Sequence, residues 1–382
     1  MTAISRRTAL KHLATLAAGS SLAGRLGAAT GTPGASGRVP LVHVADLYHP
    51  PQDPDDHIDL ATILALPEYD LRGVVLDATR KFLLNKPEGW DIPRDPGYVP
   101  VAQLAHLTGR AIPVAAGPID PLASPGDTAR DRPRSEQAGI GLLLDILTQS
   151  AEPVTISAVG SARVLAAAFN REPELMRTKT RAVLLNAGMT GGIKREWNVG
   201  LDVAAYVALW RSGLPIHWFP CGTEKSAFVA VHERGTYWKA THQELFRELP
   251  EGLRAWFCYA FAGNARGDII RALSETGRGA VWEHVLAGER NLWATASLVL
   301  GAGRVLARTP EGWRFVAPAA AKGLETWPWR LDPIAASVDD AGNVTWAVTD
   351  QPTPHRLFGR KPEAYSGPMA EALNALLRGL PQ

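Results

Sequence analysis

The 382-residue chain has little cysteine, only Cys221 and Cys258. That count excludes a four-thiolate metal cage. In an oxidising compartment the two could pair, but nothing in the sequence fixes their separation, and two buried free thiols is the reading preferred. There is also little excess charge: 40 basic side chains stand against 38 acidic ones, a formal net of +2. Without a broad positive field, nucleic acid is not expected as a partner. No haem-attachment motif, dinucleotide glycine fingerprint or cysteine cluster is present, which argues against redox chemistry. Internal repeats and low-complexity tracts are missing as well.

What is present is ordinary globular composition, 46% hydrophobic and 20% charged, with twelve tryptophans and 29 prolines. The N-terminus reads Ser5-Arg6-Arg7-Thr8-Ala9-Leu10-Lys11, followed by a weakly apolar stretch to about Ala29. A paired arginine before such a stretch resembles a twin-arginine export signal, so the export machinery is an expected partner and the periplasm or exterior the expected location. Gly19, Gly24, Arg25 and Gly27 interrupt the stretch, so a stable membrane span is not expected. Residues 1–37 are read as signal and linker, and 38–382 as the working domain.

From residue 38 short apolar runs alternate with amphipathic segments. Strands are expected at 41–45, 71–76, 111–115, 154–158, 181–185 and 215–219. Helices are expected at 56–66, 101–108, 140–147, 162–169 and 203–210. Alternation of this kind implies βαβ units and an open, mostly parallel α/β sheet flanked by helices, with its site at the strands' C-terminal ends. Residues 226–300 read as mostly helical. Beyond Gly301, short strands are expected at 304–307, 313–316, 334–338 and 344–348, packed over the end of the sheet, and then a helix at 363–380.

The densest chemistry lies directly after the first expected strand, in Asp46-Leu47-Tyr48-His49-Pro50-Pro51-Gln52-Asp53-Pro54-Asp55-Asp56-His57-Ile58-Asp59. Pro54 disfavours helix at Asp53, so a helix should begin near Asp55 or Asp56. Helix capping explains one such aspartate. Several carboxylates crowded at a strand end repel one another unless a counter-charge is present. Oxygen donors favour Ca²⁺ or Mg²⁺, while His49 and His57 leave a transition metal open.

These residues, with others in order along the chain, resemble the inosine–uridine-preferring nucleoside hydrolases. The family's D-x-D-P-G-x-D-D loop is matched by Asp53-Pro54-Asp55-Asp56, followed by Leu66-Pro67-Glu68-Tyr69-Asp70-Leu71. Its G-R-x-I-P-V-x-x-G segment is matched by residues 109–117, its I-T-L-V-P-T-G strand by 154–160, and its E-F-N-I-x-x-D-P-x-A-A motif by Glu196-Trp197-Asn198-Val199-Gly200-Leu201-Asp202-Val203-Ala204-Ala205. The resemblance covers about residues 40–300. It implies a Ca²⁺ held by Asp46, Asp56 and the Val159 carbonyl, with Asp55 on the ribose hydroxyls. It places Glu196, Asn198 and Asn186 around the sugar, and Asp46 or a neighbouring carboxylate as the base that activates water. A nucleoside or related glycoside would be the substrate.

Two departures stand out. The first loop carries extra residues within 47–52, so either Asp46 or Asp53 could be the first ligand; Asp46 is preferred because it sits at the strand end. The family's His-Asp-Pro before a late helix, which gives a last ligand and a proton donor, is matched best by Arg290-Asn291-Leu292. Asn291 could offer a neutral oxygen to the cation or merely cap a helix. Arg290 could bind an anionic group but not donate a proton at neutral pH. Trp197 and Trp293 could stack on a base or sugar. An exported, metal-dependent N-glycosidase is the leading expectation, a non-catalytic sugar- or nucleoside-binding protein on the same scaffold the alternative. A homo-oligomer is open.

Overall fold

In a computed structural model the described residues are 37–86, 93–191, 195–261, 268–275 and 277–380. The Arg6-Arg7 segment lies outside them. The centre is a nine-stranded sheet. Six strands, β1 (Val39–Ala45), β2 (Tyr69–Leu76), β3 (Val114–Ala116), β4 (Val154–Val159), β5 (Thr180–Asn186) and β6 (Ile216–Trp218), pair in parallel in the order β3-β2-β1-β4-β5-β6. β1 and β4 are buried along their whole length, as apolar runs covered on both faces should be. Strand order reverses between β1 and β4, and such a switch point opens a crevice at the C-terminal ends of the strands.

The late strands depart from expectation. Arg356–Arg360 pairs in parallel with β6, Trp329–Val338 runs antiparallel beside it, and Val344–Val348 completes the edge. They therefore prolong the main sheet instead of packing over its end. Val305–Thr309 and Gly312–Val316 form a separate small sheet with Glu325–Thr326. Within the region read as helical, Trp238–Thr241 and Glu289–Leu292 form an antiparallel two-stranded ribbon. Strands of four residues are too short to show a period in sequence.

The helix Asp55–Ala65 follows β1 and is buried from Asp56 to Ala65, polar residues included. It packs against the helices Thr295–Gly301 and Ser366–Arg378. Behind the sheet's C-terminal ends, the fully buried guanidinium of Arg163 ties several loops together. Its Nε donates to Asp202 at 3.0 Å, and its two terminal nitrogens donate to the carbonyls of Ala78, Pro118 and Leu201. Asp202 in turn accepts from the amides of Leu122 and Ala205, capping the helix Val203–Arg211. Removing one partner of such a pair leaves a buried charge uncompensated, at a cost of about 3–5 kcal/mol. Arg163→Met is therefore expected to lower the unfolding free energy in urea by that order; a loss under about 1 kcal/mol would remove Arg163 from this role.

Candidate active site

The crevice at the switch point is a cavity of about 580 Å³. Asp46, the first residue after β1, lines it together with Asp53, Asp55, Asp56 and Asp59. The Asp46 and Asp56 carboxyls lie close enough to interact directly. Burial raises the proton affinity of both, and repulsion from neighbouring aspartates adds to it. Asp55 is pushed well above the ordinary carboxylate range by burial first and then by Asp53 and Asp59, with Arg290 pulling the other way. Asp53 itself is ion-paired to Arg290 at 2.9 Å. Of the two candidates for the first position, Asp46 is thus the one that touches Asp56.

The opposite wall comes from the end of β5 and the turn after it. Asn186 is buried, and its Nδ2 donates to the carbonyls of Ala158 and Leu184 while its Oδ1 has no partner. A buried acceptor left open costs roughly 1–3 kcal/mol, so this oxygen is ready for a hydroxyl donor. Asn198 lines the cavity and donates through Nδ2 to the Asn186 carbonyl at 3.1 Å. Glu196 is largely engaged by its own backbone: it accepts from the amides of Gly188, Asn198 and Val199 and caps the short helix Trp197–Leu201. Burial raises its proton affinity, and those amide bonds oppose the rise. Gly188 has φ +85°, and a Cβ there would meet the Tyr206 hydroxyl at 2.2 Å, so only glycine can present its amide to Glu196.

Arg290 and Asn291 require correction as cavity residues. Both sit on the two-stranded ribbon, and neither lines the cavity. Asn291 accepts from the Tyr237 hydroxyl at 2.9 Å, and Arg290 neutralises Asp53. The late helix that begins at the cavity is Thr295–Gly301, and the residues just before it are Trp293 and Ala294, which do line the cavity. Sequence reading put Arg290 and Asn291 at the start of a late helix, whereas they lie on a strand whose short length is invisible in sequence. His49 and His57 are also elsewhere. His49 stacks on Tyr259 with ring centres 4.9 Å apart. His57 is buried beside Trp256 and Phe261, and burial drives its pKa down to about 3, so it is neutral.

Several lining residues had no assigned role in sequence. Asp59 follows Asp55 by one helical turn, a spacing that places both on one face. Its Oδ1 is buried without a partner, and burial lifts its pKa to about 8. Cys221 is buried at the cavity wall, and burial raises its thiol pKa. It and Cys258 are both free. Arg195, Lys225 and Phe228 come from irregular segments with no periodic signal.

For a divalent cation the donor chemistry fits but is sparse. Asp46 and Asp56 supply hard oxygens in contact, and Val159, ending β4, lines the same cavity. Among the described residues no group of three or more His, Cys, Asp or Glu side chains gathers at metal-binding distance. Ala294, just before the late helix, lines the cavity but offers no side-chain oxygen.

No family model matches the chain. Over 182 residues it is 30% identical to the pyrimidine-specific ribonucleoside hydrolase RihA of Citrobacter koseri, across 42% of this chain and 55% of that protein. Over 197 residues it is 30% identical to RihA of an Enterobacter species, across 47% of this chain and 58% of that one. The chain thus spans little more than half the length of these curated relatives. Among solved structures, the purine-preferring ribonucleoside hydrolase from Gardnerella vaginalis aligns with TM-score 0.51 and 14% identity, over 89% of this chain and 99% of that one. That likeness concerns the fold. Together these findings make the chain nucleoside hydrolase-like, and divergent.

Asp59 gives a test of the buried acid. Its folded pKa of about 8 lies far above the ordinary carboxylate range, so the folded state binds the proton more tightly. Stability from this group is therefore full below about pH 4 and is lost as pH rises toward 8. Asp59→Asn is expected to be more stable than the parent by at least about 1 kcal/mol at pH 8, with the gap closing toward pH 4. Urea titrations at the two pH values measure it; an equal gap at both would mean that the carboxyl is not buried as described.

Proposed function

We propose that the chain hydrolyses the N-glycosidic bond of a ribonucleoside-type substrate, releasing base and free sugar. The observation that carries this is the meeting of Asp46, Asp55, Asp56, Asn186 and Asn198 on one cavity, with the Asn186 acceptor unfilled. The ribonucleoside hydrolases among the relatives support it.

In this reading the sugar lies over the carboxyls. Asp55 and the two asparagines take its hydroxyls, Asn186 accepting through Oδ1 and Asn198 contributing its side-chain amide. The N-glycosidic bond breaks through an oxocarbenium-like sugar, whose positive charge the ring of aspartates stabilises. The Asp46 carboxylate accepts the proton of the water that attacks the anomeric carbon. Ca²⁺, or Mg²⁺, would be held by Asp46, Asp56 and the Val159 carbonyl. When bound it would neutralise the carboxyl pair and polarise oxygens of water and sugar. Trp293 and Ala294 offer no proton to the leaving base; the Trp293 indole instead provides a stacking face.

That last feature favours a second reading, a non-catalytic sugar- or nucleoside-binding protein on the same scaffold. We further propose that the Arg6-Arg7 segment directs export, so that the protein works in the periplasm or outside the cell.

Incubation with a panel of nucleosides and Ca²⁺ should release base and reducing sugar, and chelation should slow the release. Asp46→Asn should lower kcat by about 100-fold or more, while Asn186→Ala should act mainly on KM. Thermal stabilisation by nucleosides with no base released from any of them would favour the binding protein.

A further inference from the structure

The cavity has a charge asymmetry that a neutral nucleoside does not explain. Its buried end holds Asp56, Asp59, Asn186 and Glu196. Its exposed rim holds Arg195, Lys225, Trp197 and Phe228. Neither Arg195 nor Lys225 forms an ion pair with a carboxylate among the described residues. Neighbouring cations are neutralised: Arg290 by Asp53 at 2.9 Å, Arg163 by Asp202 at 3.0 Å, and Arg80 by Asp120 at 2.6 Å. The acid beside Lys225, Glu224, is paired with His232 at 3.2 Å. Both free cations stand on ordered backbone. Arg195 directly precedes Glu196, whose carboxylate is fixed by three amides. Lys225 sits in a turn closed by the Thr223 amide on the Ser226 carbonyl at 3.0 Å, with its own amide donating to the Thr223 hydroxyl.

Two aromatic walls accompany them. Trp197, 55% exposed, is stacked on Phe82 at 5.8 Å. Phe228, 60% exposed, stands edge-on to Trp293 at 5.7 Å, and the Trp293 indole nitrogen donates to the Ala227 carbonyl, fixing that loop. A flat heterocycle can stack here while an anionic group is held beside it.

We infer that the preferred ligand is a phosphorylated ribosyl compound, a nucleoside 5′-monophosphate in the simplest case, with Arg195 and Lys225 as its phosphate-binding residues. The aspartates do not oppose this. Asp56 and Asp59 lie at the buried end, and Asp53, nearer the surface, is already ion-paired to Arg290, whereas the phosphate stays at the rim. Arginine offers a fork matched to phosphate oxygens and lysine a point charge, and each such contact is charge-assisted. The inference rests on the ribosyl-site reading above.

The test is calorimetric titration of the whole chain with uridine against uridine 5′-monophosphate, and inosine against inosine 5′-monophosphate, with base release followed in parallel. The phosphorylated ligand of each pair is expected to bind about tenfold or more tightly, with the preference shrinking as salt rises. In the double variant Arg195→Gln/Lys225→Gln the ratio of the two affinities should fall toward unity, a readout that general damage to the fold does not produce. Equal or weaker binding of the monophosphates by the parent overturns the inference, as does a preference that survives in the double variant. If the monophosphate is preferred but no base is released, the hydrolytic reading fails and the phosphate site stands. If none of the four ligands binds, both fail.

Discussion

Everything at the switch point depends on the mutual repulsion of carboxyls that the fold forces together. Asp46 ends β1, Asp55 and Asp56 begin the next helix, and Asp59 stands one turn on; none can move without unravelling a strand or a helix buried on nearly every side. Burial alone disfavours their charged forms, and proximity disfavours them further. The protein answers in three ways. Burial and proximity raise the proton affinity of Asp46 and Asp56, Asp53 is handed to Arg290, and burial lifts the pKa of Asp59 to about 8. A site built this way is poised for positive charge, whether a cation or a sugar ring that becomes cationic as its bond breaks. Asp77, at the end of β2, is the contrasting case. Its carboxylate accepts from the Ser161 amide and hydroxyl, so it serves the loop rather than the cavity.

Much of this was legible in sequence because it rests on local order. The parallel sheet followed from apolar runs alternating with helical spacing. The acidic loop followed from Pro54 and the aspartates around it. The asparagines followed from an ordered set of short motifs. What was not legible depends on distance in space. Arg290 and Asn291 looked like partners for the cavity, yet the ribbon Trp238–Thr241/Glu289–Leu292 turns them toward Asp53 and Tyr237. Its four-residue strands carry no period, so residues 290 and 291 read as the approach to a helix that in fact begins at Thr295. Arg163 was silent for a similar reason, since its partners come from three separated segments. The strand Arg356–Arg360 was missed although it joins β6, because a five-residue strand bracketed by arginines resembles a loop.

The corrected position of the late helix changes what the chemistry must accomplish. With Trp293 and Ala294 before it, the cavity gains an aromatic face and lacks both a carboxylate and a proton donor at that point. Two consequences follow. Under the proposed function, a divalent cation would have Asp46, Asp56 and a carbonyl, so water and sugar oxygens would fill more of the shell than in a site with a third carboxylate. And in the proposed reaction the leaving base would have to be made a better leaving group by its own chemistry or by stacking, since Trp293 cannot protonate it. Both shift the burden from the leaving-group side to the sugar side of the bond, where Asp55, Asn186 and Asn198 already stand. A cavity weighted in that way should discriminate strongly over the sugar and loosely over the base, because specificity comes from buried groups that must be hydrogen-bonded, whereas a stacking face accepts any flat ring.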